Sequence, residues 1–185
     1  MAHIPLILAS KSAIRQQILK DRGLTFETIP ANIDERSFKA LDAIGIAKEK
    51  ALKISKSYPK HWVIGADQVC HLNGHVFHKP NTIKNAIKTL QQLEGKTHTL
   101  LTAACIAHNN VIIWEGIDKI ELTMKPLSTK EIETYVNNDQ PLQSCGAYCY
   151  EGLGKNLFSF VSHPAESIQG LPLNQLLKEL LKLDK

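Results

Sequence analysis

The chain has 185 residues; 43% are hydrophobic, and 22 Lys and Arg stand against 18 Asp and Glu, for a formal net charge of +4. A chain of this size and composition can bury a core, which excludes a largely disordered protein. No apolar run approaches the roughly 20 residues that span a bilayer, and the opening MAHIPLILASKS lacks the basic start of a signal peptide. We therefore expect a cytoplasmic protein with no membrane partner.

The positive charge is concentrated near the amino terminus. Residues 1–60 carry 11 basic and 6 acidic groups, whereas residues 61–185 carry 11 and 12. Only three of the basic residues are arginines: Arg15, Arg22 and Arg36. A DNA-binding protein usually has a denser, arginine-rich basic stripe, so the composition argues against nucleic acid as a partner. The four cysteines have no paired close spacing, which indicates reduced thiols.

The first half of the chain alternates apolar runs with amphipathic segments. The pattern predicts strands over 4–10, 25–29 and 62–67, and helices over 13–22, 42–57 and 82–93. Asn73-Gly74, after the third strand, predicts a hairpin turn.

The second half begins with two long strand patterns. These strands are expected over 97–108 and 111–124, joined by an Asn109-Asn110 turn. Ser128 and Glu131 form a capping-box pattern for a helix to about residue 138. Short strands are expected over 147–150 and 156–162. The chain should end in an amphipathic helix from Leu173, with four leucines facing inward: Leu176, Leu177, Leu180 and Leu181.

Alternating strands and helices predict the fold class: a three-layer α/β fold with a mixed sheet flanked by helices. Ligands of such sheets bind where strands end and helices begin. The first such place is LASKSAIR, residues 8–15, where a strand leads into a helix. A helix start favours phosphate, and Ser10, Lys11, Ser12 and Arg15 could add donors. The alternative is that Ser12 only caps the helix and Arg15 is solvated.

Asp67 closes the buried strand WVIGAD. A buried carboxylate is costly unless a cation or donors compensate it, so Asp67 is a candidate metal ligand or general base. Asp34-Glu35 is a candidate site for a cation such as Mg²⁺. Lys50 and Lys79 are candidate cationic groups, with Lys79 held extended by Pro80. Taken singly, the aspartate could cap a turn, and the acidic pair and lysines could be surface charges.

Together these motifs resemble the Maf family of nucleoside triphosphate pyrophosphatases in order and spacing. The chain has an S-x-S loop ending in Arg15, an acidic pair, E-K-A and G-A-D. It continues with K-P, G-A-Y, a G-x-G turn and G-L-P-L near the end. The matches extend over nearly the whole chain.

The resemblance implies a Maf/Ham1-like fold, related to inosine triphosphate pyrophosphatases. The domain would cover residues 1–185, either compact or in two lobes with a cleft between them. It also implies cleavage of a nucleoside triphosphate between its α and β phosphates, a divalent cation (Mg²⁺ or Mn²⁺) and often a homodimer.

The resemblance also implies a role for each matching residue. Asp67 would be the proton acceptor and, with Glu35, hold the metal, while lysines and the S-x-S loop would bind the triphosphate. The residues carried over for the triphosphate are Ser10, Ser12, Arg15, Lys50 and Lys79.

Three departures from the common family pattern concern the base. Ile14 stands where many members have a further arginine, Gln68 replaces a threonine, and Glu151 replaces a glutamine. These residues resemble the branch that hydrolyses 7-methyl-GTP, whose methylated ring is positively charged and could be offset by Glu151. In that branch the residue at position 14 is often tryptophan, which could stack on the base.

Two alternatives stay open. One is the same reaction on dTTP or UTP. The other is a regulatory role in cell division by nucleotide or nucleic-acid binding, because the family name derives from septum formation. The lysine-rich helix near residues 48–60 could then be a contact surface.

Overall fold

The computed structural model describes residues 5–183. None of the helices in that range has the length and hydropathy of a membrane-crossing segment. In chain order the elements are β1 (Leu6–Leu8), α1 (Ala13–Asp21), β2 (Glu27–Thr28), α2 (Ala43–Ser57), β3 (Trp62–Leu72), β4 (His75–Phe77), α3 (Ile83–Leu93), β5 (Thr97–His108), β6 (Val111–Met124), α4 (Thr129–Asp139), β7 (Phe158–Val161), α5 (Ala165–Ile168) and α6 (Leu173–Leu183). Short 3-10 turns cover Glu35–Ser37, Cys145–Ala147 and Leu153–Leu157.

The strands described in residues 5–183 form one mixed sheet in the order β2-β1-β3-β5-β6-β7, with β4 also paired to β3. Strand β1 is parallel to both β2 and β3. The pairs β3–β4 and β6–β7 are antiparallel. The predicted mixed sheet flanked by helices is confirmed.

The chain divides into two compact units. Within the described residues, the first unit takes in the chain up to Asp67, Thr102–Asp118 and the chain from Gly170 on. Its hydrophobic cluster joins alternate residues of β1, β3 and β5 to α1 and α6. Helix α2 buries a separate apolar face that includes Ala47, Ala51 and Ile54.

The second unit comprises Gln68–Leu101 and Lys119–Gln169. Its hydrophobic cluster draws on α3 and α4 and on parts of β3 to β7. Cys70 lies in this cluster, which also contains the edge-to-face pair of aromatic rings Tyr148 and Phe158. All four cysteines are free thiols, as the sequence predicted.

Turn and cap residues place the element boundaries where the sequence predicted them. Asn73 and Gly74 both have positive φ, and so do Asn109 and Asn110, which fits two-residue hairpin turns. The capping box of α4 is present, with reciprocal bonds between Ser128 and Glu131. Local chemistry therefore fixes these ends before any long-range packing is considered.

Several predictions about local structure were wrong or incomplete. The strand expected over 147–150 is absent, because Gly146 and Ala147 have φ near +75° and +61°, which a strand cannot adopt. Leu181 is 69% exposed instead of facing inward, whereas Leu176 and Leu180 are buried. The strand predicted over 4–10 forms only at Leu6–Leu8, and its first residue lies outside the described residues. The strand predicted over 25–29 forms only at Glu27–Thr28. The strand predicted to close at Asp67 continues to Leu72, because apolar residues and the Asn73-Gly74 turn extend it into the β3–β4 hairpin.

A buried histidine links β5 to the aromatic part of the second unit. His98 is 1% exposed, and its Nε2 shares a 2.9 Å hydrogen bond with the hydroxyl of Tyr148. Burial lowers the pKa of His98 to about 4, and the neighbouring His71 acts in the same direction. The imidazole is therefore neutral in the folded protein at pH values where an unfolded chain protonates it.

We expect this histidine to make the fold acid-sensitive. Between pH 6.5 and 4 the unfolded chain binds a proton at His98 that the folded chain does not, so the free energy of unfolding falls as the pH falls. The total loss is about 3 kcal/mol across that window, measurable by urea denaturation. His98→Phe should remove this part of the pH dependence, and the exposed His78→Asn should keep it. Equal pH slopes for wild type and His98→Phe would contradict this account.

Candidate functional site

The site is built where α2 crosses the middle of β3, at Gly65. Side chains alternate along a strand, so residues 63, 65 and 67 of β3 share one face. A Cβ built at Gly65 would lie 2.0 Å from the carbonyl oxygen of Ala47 and 2.9 Å from the Cβ of Ala51. Only glycine allows this approach of α2, and Asp67 is therefore on the strand face that α2 covers.

Lys50 lies on the same face of α2 and joins two carboxylates. Its Nζ is 2.7 Å from Oδ1 of Asp67 and 2.7 Å from Oε1 of Glu35. The Lys50 and Asp67 side chains are 13% and 12% exposed, whereas Glu35 is 49% exposed. Because both oxygens contact the same Nζ atom, Oδ1 of Asp67 and Oε1 of Glu35 lie no farther apart than twice 2.7 Å.

Opposing effects act on the pKa of Asp67. Burial raises the pKa of Asp67 above its usual value, while the positive charges of Lys50 and Arg15 lower it and Glu35 raises it. The rise prevails. A carboxyl group held in this way can accept a proton more readily than a solvated aspartate.

Arg15 projects from the first turn of α1 and is held by the protein backbone. Its Nε donates to the carbonyl of Gly170 at 2.9 Å, and its Nη1 donates to the carbonyl of Ala66 at 3.0 Å. Nη1 also lies 3.4 Å from Oγ of Ser10, which is buried. These contacts orient the guanidinium group, so the solvated alternative for Arg15 was wrong.

The other two residues of this loop have structural contacts. The Oγ of Ser12 accepts a hydrogen bond from the backbone of Arg15 at 3.4 Å, so Ser12 is the N-cap of α1. Ile14 is partly buried and packs against the hydrophobic cluster of the first unit. Of the three side chains Ser12, Ile14 and Arg15, only that of Arg15 contacts Ser10 and the carbonyl of Ala66.

The donor set fits a small divalent cation. Glu35 and Asp67 supply carboxylate oxygens that both face Nζ of Lys50, and two carboxylates this close together can share one cation. Within residues 5–183 no group of three or more His, Cys, Asp or Glu side chains forms a closed metal site. Magnesium is usually bound by one or two carboxylates together with water and substrate phosphates, so an open two-carboxylate site suits it. Asp34 is the other residue of the predicted acidic pair, and its backbone carbonyl accepts a hydrogen bond from the Ser37 hydroxyl at 2.7 Å.

Three of the predicted site residues, Gln68, Lys79 and Glu151, belong to the second unit. Lys79 is exposed. Gln68 donates from Nε2 to the carbonyls of Ser167 and Ile168 at 3.3 and 2.9 Å, and its Oε1 is 3.5 Å from Sγ of Cys145. Glu151 is exposed, in a turn before Gly152. The structure thus brings together Ser10, Arg15, Glu35, Lys50 and Asp67 in the first unit.

Sequence reasoning missed the main-chain groups of the site. The carbonyls of Ala66 and Gly170 hold Arg15, yet any residue carries a carbonyl. A partial signal exists at Gly170, whose φ of +109° is a glycine conformation, and a Cβ there would lie 3.0 Å from Nε of Arg15. The Gly65 contact with α2 also has a signal in the sequence, since a glycine inside a strand indicates a close approach.

Comparison with known proteins gives consistent matches over most of the chain. The model of the family described as "Maf-like protein" matches residues 5–183. A nucleoside triphosphate pyrophosphatase of Legionella pneumophila strain Lens is 42% identical, covering 97% of this chain and 94% of the relative. A 7-methyl-GTP pyrophosphatase of Rhizobium johnstonii is 38% identical, covering 96% of each chain.

Among solved structures, a HAM1 protein from Coxiella burnetii matches with a TM-score of 0.50. It is 14% identical and the match covers 97% of this chain and all of that one. At this identity the likeness shows the fold alone. The predicted Ham1-like fold is therefore confirmed.

Gly65→Ala should destabilise the protein by about 1–3 kcal/mol, because the methyl group would overlap backbone that cannot rotate away. Gly116→Ala, also in a strand, is the matched control: the atoms nearest to its new methyl group belong to the side chains of Trp114 and Gln175. Urea denaturation of both variants checks this. Equal losses of stability in the two variants would contradict a rigid contact at Gly65.

Proposed function

The chain belongs to the Maf family, and from this membership and the site in its first unit we propose that it is a nucleoside triphosphate pyrophosphatase acting on 7-methyl-GTP. The observation that carries the proposal is the position of Lys50 Nζ, 2.7 Å from carboxylate oxygens of both Glu35 and Asp67. This cluster places Asp67, the candidate proton acceptor, beside two positively charged side chains, Lys50 and Arg15. The products are 7-methyl-GMP and pyrophosphate.

In the proposed reaction Asp67 accepts a proton, and the positively charged residues bind the phosphate groups. The carboxylate of Asp67 accepts a proton from the attacking water as the water oxygen bonds to the α phosphorus. The bond to the bridging oxygen breaks, and that oxygen leaves with the pyrophosphate. Lys50 and Arg15 bind phosphate oxygens, with Ser10 beside them. The family resemblance assigns Lys79 to the triphosphate as well. Fixed positive groups stabilise the charge that builds up during hydrolysis.

Glu35 and Asp67 would hold Mg²⁺ or Mn²⁺. When bound, such a cation neutralises phosphate charge and helps to place the water. Lys50 lies between the same two carboxylates, so its ammonium group also limits their mutual repulsion when the cation is absent.

The proposed substrate rests on the residues that differ from the common family pattern. Ile14 is partly buried against the core, so the loop presents one arginine where many members have two. Glu151 is exposed and anionic, which suits a methylated purine with a positively charged ring. A Rhizobium johnstonii relative is itself named a 7-methyl-GTP pyrophosphatase. The homodimer implied by the family resemblance and the cytoplasmic location expected from the sequence stay predictions.

A substrate panel tests this proposal. With Mg²⁺ or Mn²⁺ present, kcat/KM should be higher for 7-methyl-GTP than for GTP, UTP or dTTP, because only the methylated base is positively charged and can pair with Glu151. The measurement is the initial rate of pyrophosphate release for each nucleotide. Faster turnover of UTP or dTTP than of 7-methyl-GTP would replace the proposed substrate with an unmodified pyrimidine nucleotide.

Substitutions at the cluster are the site control for the same assay. Asp67→Asn should abolish pyrophosphate release, and Lys50→Met should lower it by about a hundredfold or more. Lys53→Met is the matched control on α2: Lys53 donates to the carbonyl of Asn32 at 2.7 Å and should be dispensable for turnover. Undiminished release by folded Asp67→Asn would place the chemistry elsewhere.

A further inference from the structure

The turn that carries Glu151 is fastened at both ends to helix α4. We define the 149–154 turn as the segment from Cys149 to Gly154. Asp139 and Tyr135, both on α4, contact its backbone on either side of Glu151. From these contacts we infer that Asp139 and Tyr135 are positioning residues for Glu151, and through it for base selection; this inference rests on the proposed function.

The carboxylate of Asp139 holds the far end of the turn. Its Oδ2 accepts hydrogen bonds from the backbone amides of Leu153 at 3.0 Å and Gly154 at 3.2 Å. A Cβ built at Gly152 would lie 2.8 Å from the same oxygen. The carboxylate therefore lies directly against the glycines that follow Glu151.

Tyr135 holds the near end. Its hydroxyl oxygen accepts the backbone N–H of Cys149 at 2.9 Å. Tyr135 is 5% exposed, so the hydroxyl group is fixed by packing. Tyr135 and Asp139, one turn apart on α4, thus hold the backbone before and after Glu151.

The turn also closes on itself. The amides of Gly152 and Gly154 each lie 3.1 Å from the carbonyl of Cys149. A Cβ at Gly154 would lie 2.3 Å from that oxygen, so this bond pattern requires glycine there. The backbone at Glu151 is therefore held at both ends by α4 and from within by the carbonyl of Cys149.

An exposed glutamate on a free loop would sample many positions and would recognise a base weakly. Fixing its backbone before the substrate arrives removes that entropic cost from binding. The charge of Asp139 adds to this, because bonds from amides to a carboxylate are stronger than neutral ones. The expected consequence is selectivity for the base with little effect on phosphate chemistry.

The test compares two nucleotides on each enzyme preparation. Asp139→Ala should lower the ratio of kcat/KM for 7-methyl-GTP to that for UTP by roughly tenfold or more, mainly through KM. Partial unfolding lowers both values equally and leaves the ratio unchanged, so the ratio separates positioning from stability. Asp139→Asn is the matched variant: one amide oxygen can replace Oδ2 for both backbone donors, and most of the ratio should be restored.

A double substitution shows whether Asp139 acts through Glu151. Glu151→Gln should lower the ratio by itself, and adding Asp139→Ala to it should cause no further loss. Amide hydrogen exchange at Leu153 and Gly154, measured without substrate, should accelerate in Asp139→Ala and stay slow in Asp139→Asn.

The outcomes separate the two claims. A wild-type enzyme that does not prefer 7-methyl-GTP over UTP contradicts the proposed function, and with it any part of the turn in selecting that base. A wild-type preference that survives Asp139→Ala unchanged, despite faster exchange at Leu153 and Gly154, overturns the positioning role alone. Equal losses from Asp139→Ala with and without Glu151→Gln overturn it as well.

Discussion

The close approach of α2 to β3 at Gly65 is the contact on which the candidate site depends. The absence of a side chain there lets Ala47 and Ala51 lie against the strand. Lys50 follows Ala47 by nearly one helical turn, so the same contact brings its ammonium group to Asp67 two residues further along the strand. Packing and chemistry are in this way set by one steric condition.

The electrostatics of the cluster follow from that geometry. A carboxylate that is 12% exposed would be costly to bury alone, and Lys50 and Arg15 supply the compensating charge. Arg15 is in turn held by main-chain carbonyls, which cannot be lost by substitution of a side chain. An oriented guanidinium and a shared ammonium are the two groups that the proposed function assigns to phosphate oxygens.

The fold and part of the site could be predicted from the sequence because their signals are local. The Asn-Gly and Asn-Asn turns and the capping box of α4 depend on neighbouring residues alone. Asp67 could be found because a lone acidic residue follows a buried apolar run, although β3 continues beyond it to Leu72. Lys50 was chosen through the E-K-A motif of the family resemblance. The residues alone do not distinguish it from Lys53, since both lie on one lysine-rich helix, and in the structure the contact with Asp67 does so.

Other features escaped prediction for a different reason: they depend on backbone far away in the chain. The carbonyl of Gly170 meets an arginine 155 positions earlier. The strand expected over 147–150 is replaced by left-handed backbone at Gly146 and Ala147, beside the ring of Tyr148. Asp139 ends a helix like many surface aspartates, and its importance shows only in the amides of Leu153 and Gly154 that it binds.

The central claim is that this cluster directs water to the α phosphorus of a nucleoside triphosphate. Phosphorus-31 NMR of the products, with the reaction run in ¹⁸O-labelled water, tests it most directly. The account predicts 7-methyl-GMP carrying the label and unlabelled pyrophosphate in equal amounts. Release of orthophosphate with 7-methyl-GDP, or label in the pyrophosphate, would contradict it.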